Sequence, residues 1–375
     1  MSQVCLLNEI ALAKADLLDD FEALTARNPD TNNTMAWPKP FWQMGTSSLY
    51  RFSNSSEPSS PRKPILLLCF ALIYDPQILH IAKSASFIES LTEQGFDVFM
   101  LDWGSSNASA DIDRAFSNPE SKKAKSTTLQ LLEQSLLPAV QAIRTQTNSL
   151  LPIKNIPIHI MGVCQGAFLT TLACALWPHL FASSTIMVAP CDTQQPGDEF
   201  ANMIRATHPI LVQSSEMTID GQIIGEFFMS LRPVTLKIRK LSGMRKKIED
   251  DKFLAIENWL RSGPAVCRQF LLEYISNVYL ANGLYENKID LGGRLVDLKQ
   301  ISCPVFNIVA RRDTIVRESS SRSFKQLFSH TRYQEMTINC GHIGAFIKPD
   351  IQQALAEALL EFCKLNNKTT KEEAL

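Results

Sequence analysis

The chain has 375 residues, enough for one large domain with an insertion or for two to three smaller ones, and its 37 Lys+Arg against 38 Asp+Glu leave a net charge of −1. A near-neutral balance lacks the basic footprint of a protein that grips nucleic acid without sequence preference, so no nucleic-acid partner is expected. Hydrophobic residues at 45% and charged residues at 20% exclude general disorder and leave ample material for a core.

The longest apolar run, Ile65 to Tyr74, is well short of the roughly 18 residues of a spanning helix, so no transmembrane segment is expected. Glu9, Asp16, Asp19 and Asp20 interrupt the N-terminal leucines and no basic n-region precedes them, which argues against a signal peptide and for a cytoplasmic protein. The nine cysteines include no CxxC pair and no histidine at zinc spacing. No metal is expected, and the thiols read as reduced core residues with one candidate for chemistry.

In chain order, apolar positions Leu7, Ile10, Leu17, Phe21 and Leu24 predict an amphipathic helix within residues 5–26. Residues 28–63 turn rich in Asn, Ser, Pro and Thr, so 1–63 reads as an N-terminal helix and linker, with the core starting near Pro64. Short apolar runs at 65–70, 98–101, 156–161, 184–189, 305–310 and 332–338 predict strands buried on both faces. Helical spacing at 76–93, 127–144 and 166–177 separates the first of them. This alternation predicts an α/β fold with a mostly parallel, doubly wound sheet, built from 64–190 and 301–362. Residues 191–300 carry helical patterns at 253–261 and 266–280 and few strand-like runs, the pattern of a helical cap insertion. Residues 363–375 read as a polar C-terminal tail.

Gly162-Val163-Cys164-Gln165-Gly166 falls between a predicted strand and a predicted helix. This is the G-x-nucleophile-x-G elbow, in which the glycines allow a turn so sharp that the central side chain stands above the sheet. It also sets Cys164 at a helix N-terminus, which favours a thiolate, and aims the Gln165 N–H at the oxyanion of an attacked carbonyl. The second oxyanion donor is expected from the loop after the first sheet strand, at the N–H of Leu72 or Ile73. On the α/β-hydrolase fold the order is nucleophile, acid, then histidine. Asp313 follows the strand at 305–310, and His342, flanked as Gly341-His342-Ile343-Gly344, follows the strand at 332–338. They fit the acid and the base. The other five histidines lie inside predicted elements or beside prolines.

Together with Asp102-Trp103-Gly104, Met187-Val-Ala-Pro-Cys-Asp192, Glu257-Asn-Trp259 and Cys303-Pro-Val-Phe-Asn-Ile, these motifs resemble the polyhydroxyalkanoate synthases, the class III catalytic subunit best of all. Thr314 and Arg317 stand where the family commonly has His and Pro. The resemblance implies an α/β-hydrolase fold and an acyltransferase that polymerises (R)-3-hydroxyacyl-CoA into a growing polyester chain, with Cys164 acylated and Asp313 and His342 as its partners. It implies no cofactor, since coenzyme A is part of the substrate, and a second synthase subunit or a homodimer at the surface of polyester granules. The same elbow on a hydrolase would make a thioesterase or an intracellular polyester depolymerase. A catalytically silent granule-binding protein is a third reading.

Overall fold

The structure is a computed structural model that describes residues 35–53, 63–104, 127–150, 156–230, 255–256, 258–260 and 263–367, all within the unit Met35–Leu375. The helix expected within 5–26, the basic run Arg245-Lys246-Lys247 and residues 368–375 lie outside them.

Eight strands form the main sheet: β1 (Trp42–Met44), β2 (Ser47–Phe52), β3 (Ile65–Cys69), β4 (Asp97–Asp102), β5 (Ile158–Val163), β6 (Ser183–Met187), β7 (Val305–Ala310) and β8 (Tyr333–Ile338). Their order is β1-β2-β4-β3-β5-β6-β7-β8. β4 through β8 pair in parallel, whereas β2 runs antiparallel to β4 and β1 antiparallel to β2. The chain leaves β3 to one side for β4 and returns on the other side as β5. Winding therefore reverses at β3, and the loops leaving the carboxyl ends of β3 and β5 open a crevice, where ligands of such sheets bind.

The longer α-helices among the described residues are α1 (Phe87–Glu93), α2 (Leu137–Leu150), α3 (Gln165–Leu176), α4 (Glu199–Gln213), α5 (Gly221–Ser230), α6 (Arg268–Tyr274) and α7 (Pro349–Asn366). Successive side chains of a strand point to opposite faces, so β3 feeds two cores. Ile65, Leu67 and Cys69 join α2 and α3 on one face. Leu66 and Leu68 join α1 and α7 on the other. All five are buried, which is why β3 is an unbroken apolar run. Each such aliphatic side chain contributes about 1.5–3 kcal/mol.

Four expectations need correction. Residues 42–52, read as linker, form β1 and β2. Their serines are buried: Ser47 Oγ donates to the Trp103 carbonyl at 2.9 Å, so a loop-like composition conceals an edge of the sheet. The helix expected over 76–93 is a one-turn helix at Pro76–Leu79, a ribbon of His80–Ala82 with Ala85–Ser86, and then α1. Ser86 Oγ caps α1 by accepting the Glu89 N–H, which fixes the helix start at Phe87. The helix expected over 266–280 begins with a strand, Val266–Cys267, that pairs with Thr218–Ile219. The tail expected from 363 is the last turn of α7, with Cys363 and Asn366 buried.

Candidate active site

β5 turns into α3 through Cys164, whose φ of 52° and ψ of −118° is a conformation that side chains avoid, at a cost of about 1–3 kcal/mol. The strain is held in place by close packing. A Cβ at Gly162 would lie 2.2 Å from Thr170 Oγ1 and 2.4 Å from Ala167 Cα, and one at Gly166 would lie 2.1 Å from the Cys69 carbonyl oxygen. Only glycine lets α3 approach β5 and β3 this closely. The Cys164 N–H donates to the Met187 carbonyl at 2.9 Å, tying the elbow to the end of β6. Cys164 is partly exposed, whereas Cys69, Cys174, Cys191, Cys303, Cys340 and Cys363 are buried. Burial pushes the Cys340 thiol up to about 11 and the Cys363 thiol up to about 12, and holds both as inert thiols.

The acid arrives on the loop after β7. Backbone bonds from Arg311 to Ile338 and from Arg312 to Cys340 fasten that loop to the end of β8. Asp313 Oδ1 accepts the N–H groups of Ile315 and Val316 at 2.8 and 2.9 Å, which orients the carboxylate. Its Oδ2 accepts from His342 Nδ1 at 2.7 Å, with the two side chains 2% and 14% exposed. Nδ1 therefore carries the proton, and Nε2 remains for the thiol. Burial by itself disfavours the imidazolium, but the Asp313 charge, a Cys164 thiolate and hydrogen bonds to both outweigh it, and His342 titrates well above its ordinary value. Cys164, His342 and Asp313 thus meet at the carboxyl ends of β5, β8 and β7. Arg317 Nη1 donates to the Pro196 carbonyl at 2.7 Å, so it joins the acid loop to the chain after β6.

The loop after β3 is bracketed by two indoles. Trp103 Nε1 donates to the Phe70 carbonyl at 2.9 Å and Trp259 Nε1 to the Asp75 carbonyl at 2.6 Å. Of the two donors expected between them, Leu72 is already engaged: its N–H donates to Gln165 Oε1 at 3.0 Å. The Ile73 N–H has no partner among the described residues. The Gln165 N–H, as the first amide of α3, likewise has no partner within the helix. The sequence reading did not include Tyr274 and Tyr279, both buried and within electrostatic reach of Cys164. Their spacing of five matches neither the helix nor the strand period, and an aromatic pair at that interval was the available signal.

The profile of the alpha/beta hydrolase fold family matches residues 76–349. A strand-elbow-helix nucleophile with its acid and base on later strands is the architecture of that family, and the chain belongs to it. The poly(3-hydroxyalkanoate) polymerase subunit PhaC of Allochromatium vinosum is 28% identical over 315 residues, 83% of each chain. The Synechocystis protein of the same name is 26% identical over 360 residues, 91% of this chain and 88% of the relative. A putative lipase from Acinetobacter baumannii superposes with a TM-score of 0.51 at 13% identity, covering 92% of this chain and 96% of its own, a likeness of fold alone. Within the α/β-hydrolase fold, the chain is a member of the polyhydroxyalkanoate synthase family, whose enzymes are acyltransferases.

Proposed function

We propose that the protein polymerises (R)-3-hydroxyacyl-CoA into polyhydroxyalkanoate through an acyl thioester on Cys164. The observation that carries this reading is a cysteine on the elbow, beside a histidine bonded to a buried aspartate at 2.7 Å, in a chain whose relatives are poly(3-hydroxyalkanoate) polymerase subunits.

The Cys164 thiolate attacks the substrate carbonyl, the N–H groups of Gln165 and Ile73 take up the oxyanion, and the coenzyme A thiolate leaves with a proton from His342. One thioester replaces another, so little driving force is lost. The 3-hydroxyl of the next unit then passes its proton to His342 Nε2 and attacks the acyl-enzyme. An oxygen ester forms, the carbon–Sγ bond breaks, and Cys164 returns as thiolate. A serine ester would be a poorer acyl donor, which gives sulfur a purpose that hydrolysis does not require.

The relatives are named as subunits, which supports a companion subunit or a second copy of the chain as partner. The growing polyester supports a place at granule surfaces in the cytoplasm, and no helix among the described residues is long and apolar enough to cross a membrane. Incubating the purified protein with (R)-3-hydroxybutyryl-CoA, alone and with the companion subunit, tests the reading by thiol release, free acid and insoluble polymer. Polymer with little free acid is expected. Stoichiometric free acid without polymer under both conditions would make the protein a thioesterase.

A further inference from the structure

The residue after the elbow cysteine acts through both its backbone and its side chain. Gln165 opens α3, so its N–H has no acceptor inside the helix. Its side chain reaches the loop after β3, where Oε1 accepts the Leu72 N–H at 3.0 Å. A backbone N–H can only donate, which fixes the oxygen of the amide on that side. The side chain is 2% exposed, and an apolar side chain would fill the same space without the cost of desolvating an amide. The bond to Leu72 is what the amide adds.

That loop lies against the elbow: Cys69 pairs with Gly162, and a Cβ at Gly166 would lie 2.7 Å from the Phe70 carbonyl oxygen. Its ends are anchored by the Trp103 bond to the Phe70 carbonyl and the Trp259 bond to the Asp75 carbonyl. Between those anchors, the main chain of residues 71–74 is fastened by the Leu72 bond. Only the φ and ψ of Leu72 separate its amide from that of Ile73, so holding the first restrains the second. We propose that the Gln165 side chain is a positioning residue for acyl transfer. By taking the Leu72 N–H it sets the spacing between its own backbone N–H and the Ile73 N–H, so that both meet the one oxygen on which charge builds as the Cys164 sulfur adds to a carbonyl. The inference rests on the proposed function's assignment of Cys164 as nucleophile and of those two amides as oxyanion donors.

The test uses the full-length chain and p-nitrophenyl butyrate, an activated ester. The nitrophenolate burst gives the rate of acylation, and mass spectrometry on the peptide containing Cys164 gives its site. Gln165→Met keeps the length of the side chain and removes the acceptor. Gln165→Asn keeps the amide but withdraws it by one methylene, which separates a tether from a mere need for an amide. Both should slow acylation at saturating ester at least about tenfold, the effect of a misplaced oxyanion donor, with half-saturation within about twofold. Iodoacetamide alkylation of Cys164 breaks a carbon–iodine bond and builds no oxyanion, so its rate should stay within about twofold of wild type. Wild-type acylation rates in both variants would overturn the proposal. Alkylation that falls in step with acylation would overturn it too, by moving the effect to the thiol. If one substitution unfolds the chain, the other carries the test. The expected rates in a protein that forms no polymer would remove the proposed activity and leave the tether standing, whereas a wild-type Cys164 that takes no acyl group would overturn both.

Discussion

Two histidines, one near each end of β5, differ in the charges they meet. His159 lies near the amino end, 1% exposed, and its ring nitrogens meet Ser183 Oγ at 2.7 Å and Asn367 Oδ1 at 3.0 Å. Burial pushes it down to about 4, against a small upward pull from Asn367. His342, close to the carboxyl end, is opposed by the same desolvation, yet titrates upward because Asp313 and Cys164 supply negative charge. Burial sets the cost of charging an imidazole, and the partners decide whether that cost is met. Ser183 and Asn367 satisfy a neutral ring. Asp313 and Cys164 favour a charged one.

The largest disturbance of this contrast is removal of the sulfur. Cys164→Ser keeps the elbow's shape but takes the readily formed anion from His342 and leaves a less activated acyl-enzyme. Polymer formation should fall at least roughly a hundredfold, about 2.7 kcal/mol in the barrier, with an unchanged circular dichroism spectrum. Near-normal rates would mean that another residue is the nucleophile.

Asp313→Asn should make His342 resemble His159, and the midpoint of its NMR titration should drop below the ordinary 6.5. Rapid-quench measurements should show chain elongation about thirtyfold slower and acylation of Cys164 less than about fivefold slower, because a Cys–His pair can still form thiolate without the acid. Equal loss in both steps would remove this division of roles.

At the amino end the effect is on stability. His159 is neutral in the folded chain down to about pH 4, whereas in the unfolded chain it protonates below about 6.5. The unfolded state therefore binds the extra proton, and stability falls as pH drops from 6.5 towards 4, by about 3 kcal/mol in full. Urea unfolding of His159→Gln should lose that slope, with polymer formation at neutral pH little changed. A slope as steep as wild type would place the acid sensitivity elsewhere. The smallest effect belongs to Cys174→Ala, a buried thiol on α3. Thermal unfolding should register about 1–2 kcal/mol, while the rate of polymer formation stays within about twofold.

Most of the sheet was legible because a strand covered on both faces must be an apolar run, as in Ile65–Cys69, and Val305–Ala310 was readable to the residue. β2 was hidden because its serine hydroxyls are satisfied inside the protein, and composition cannot tell a buried serine bonded to the Trp103 carbonyl from a solvated one. Cys164, Asp313 and His342 were visible because each follows a strand in the order the fold imposes. The occupation of the Leu72 amide was invisible, since it depends on where the Gln165 side chain points. The tyrosine pair escaped because it belongs to a period that a search for 3.6 and 2 does not contain.

The three groups at the carboxyl edge come from distant parts of the chain, and a ribosome delivers them in sequence. The elbow is complete when residue 166 has been added, but the histidine is roughly 180 positions further on. At about 5–20 residues per second, the interval is on the order of ten to thirty-five seconds. During it the nascent chain holds a strained thiol with neither base nor acid beside it. β7 and β8, which add to the outer side of β6, therefore bring the imidazole and the carboxylate to a thiol that is already in place, and a chain truncated before residue 305 would hold the elbow with neither partner.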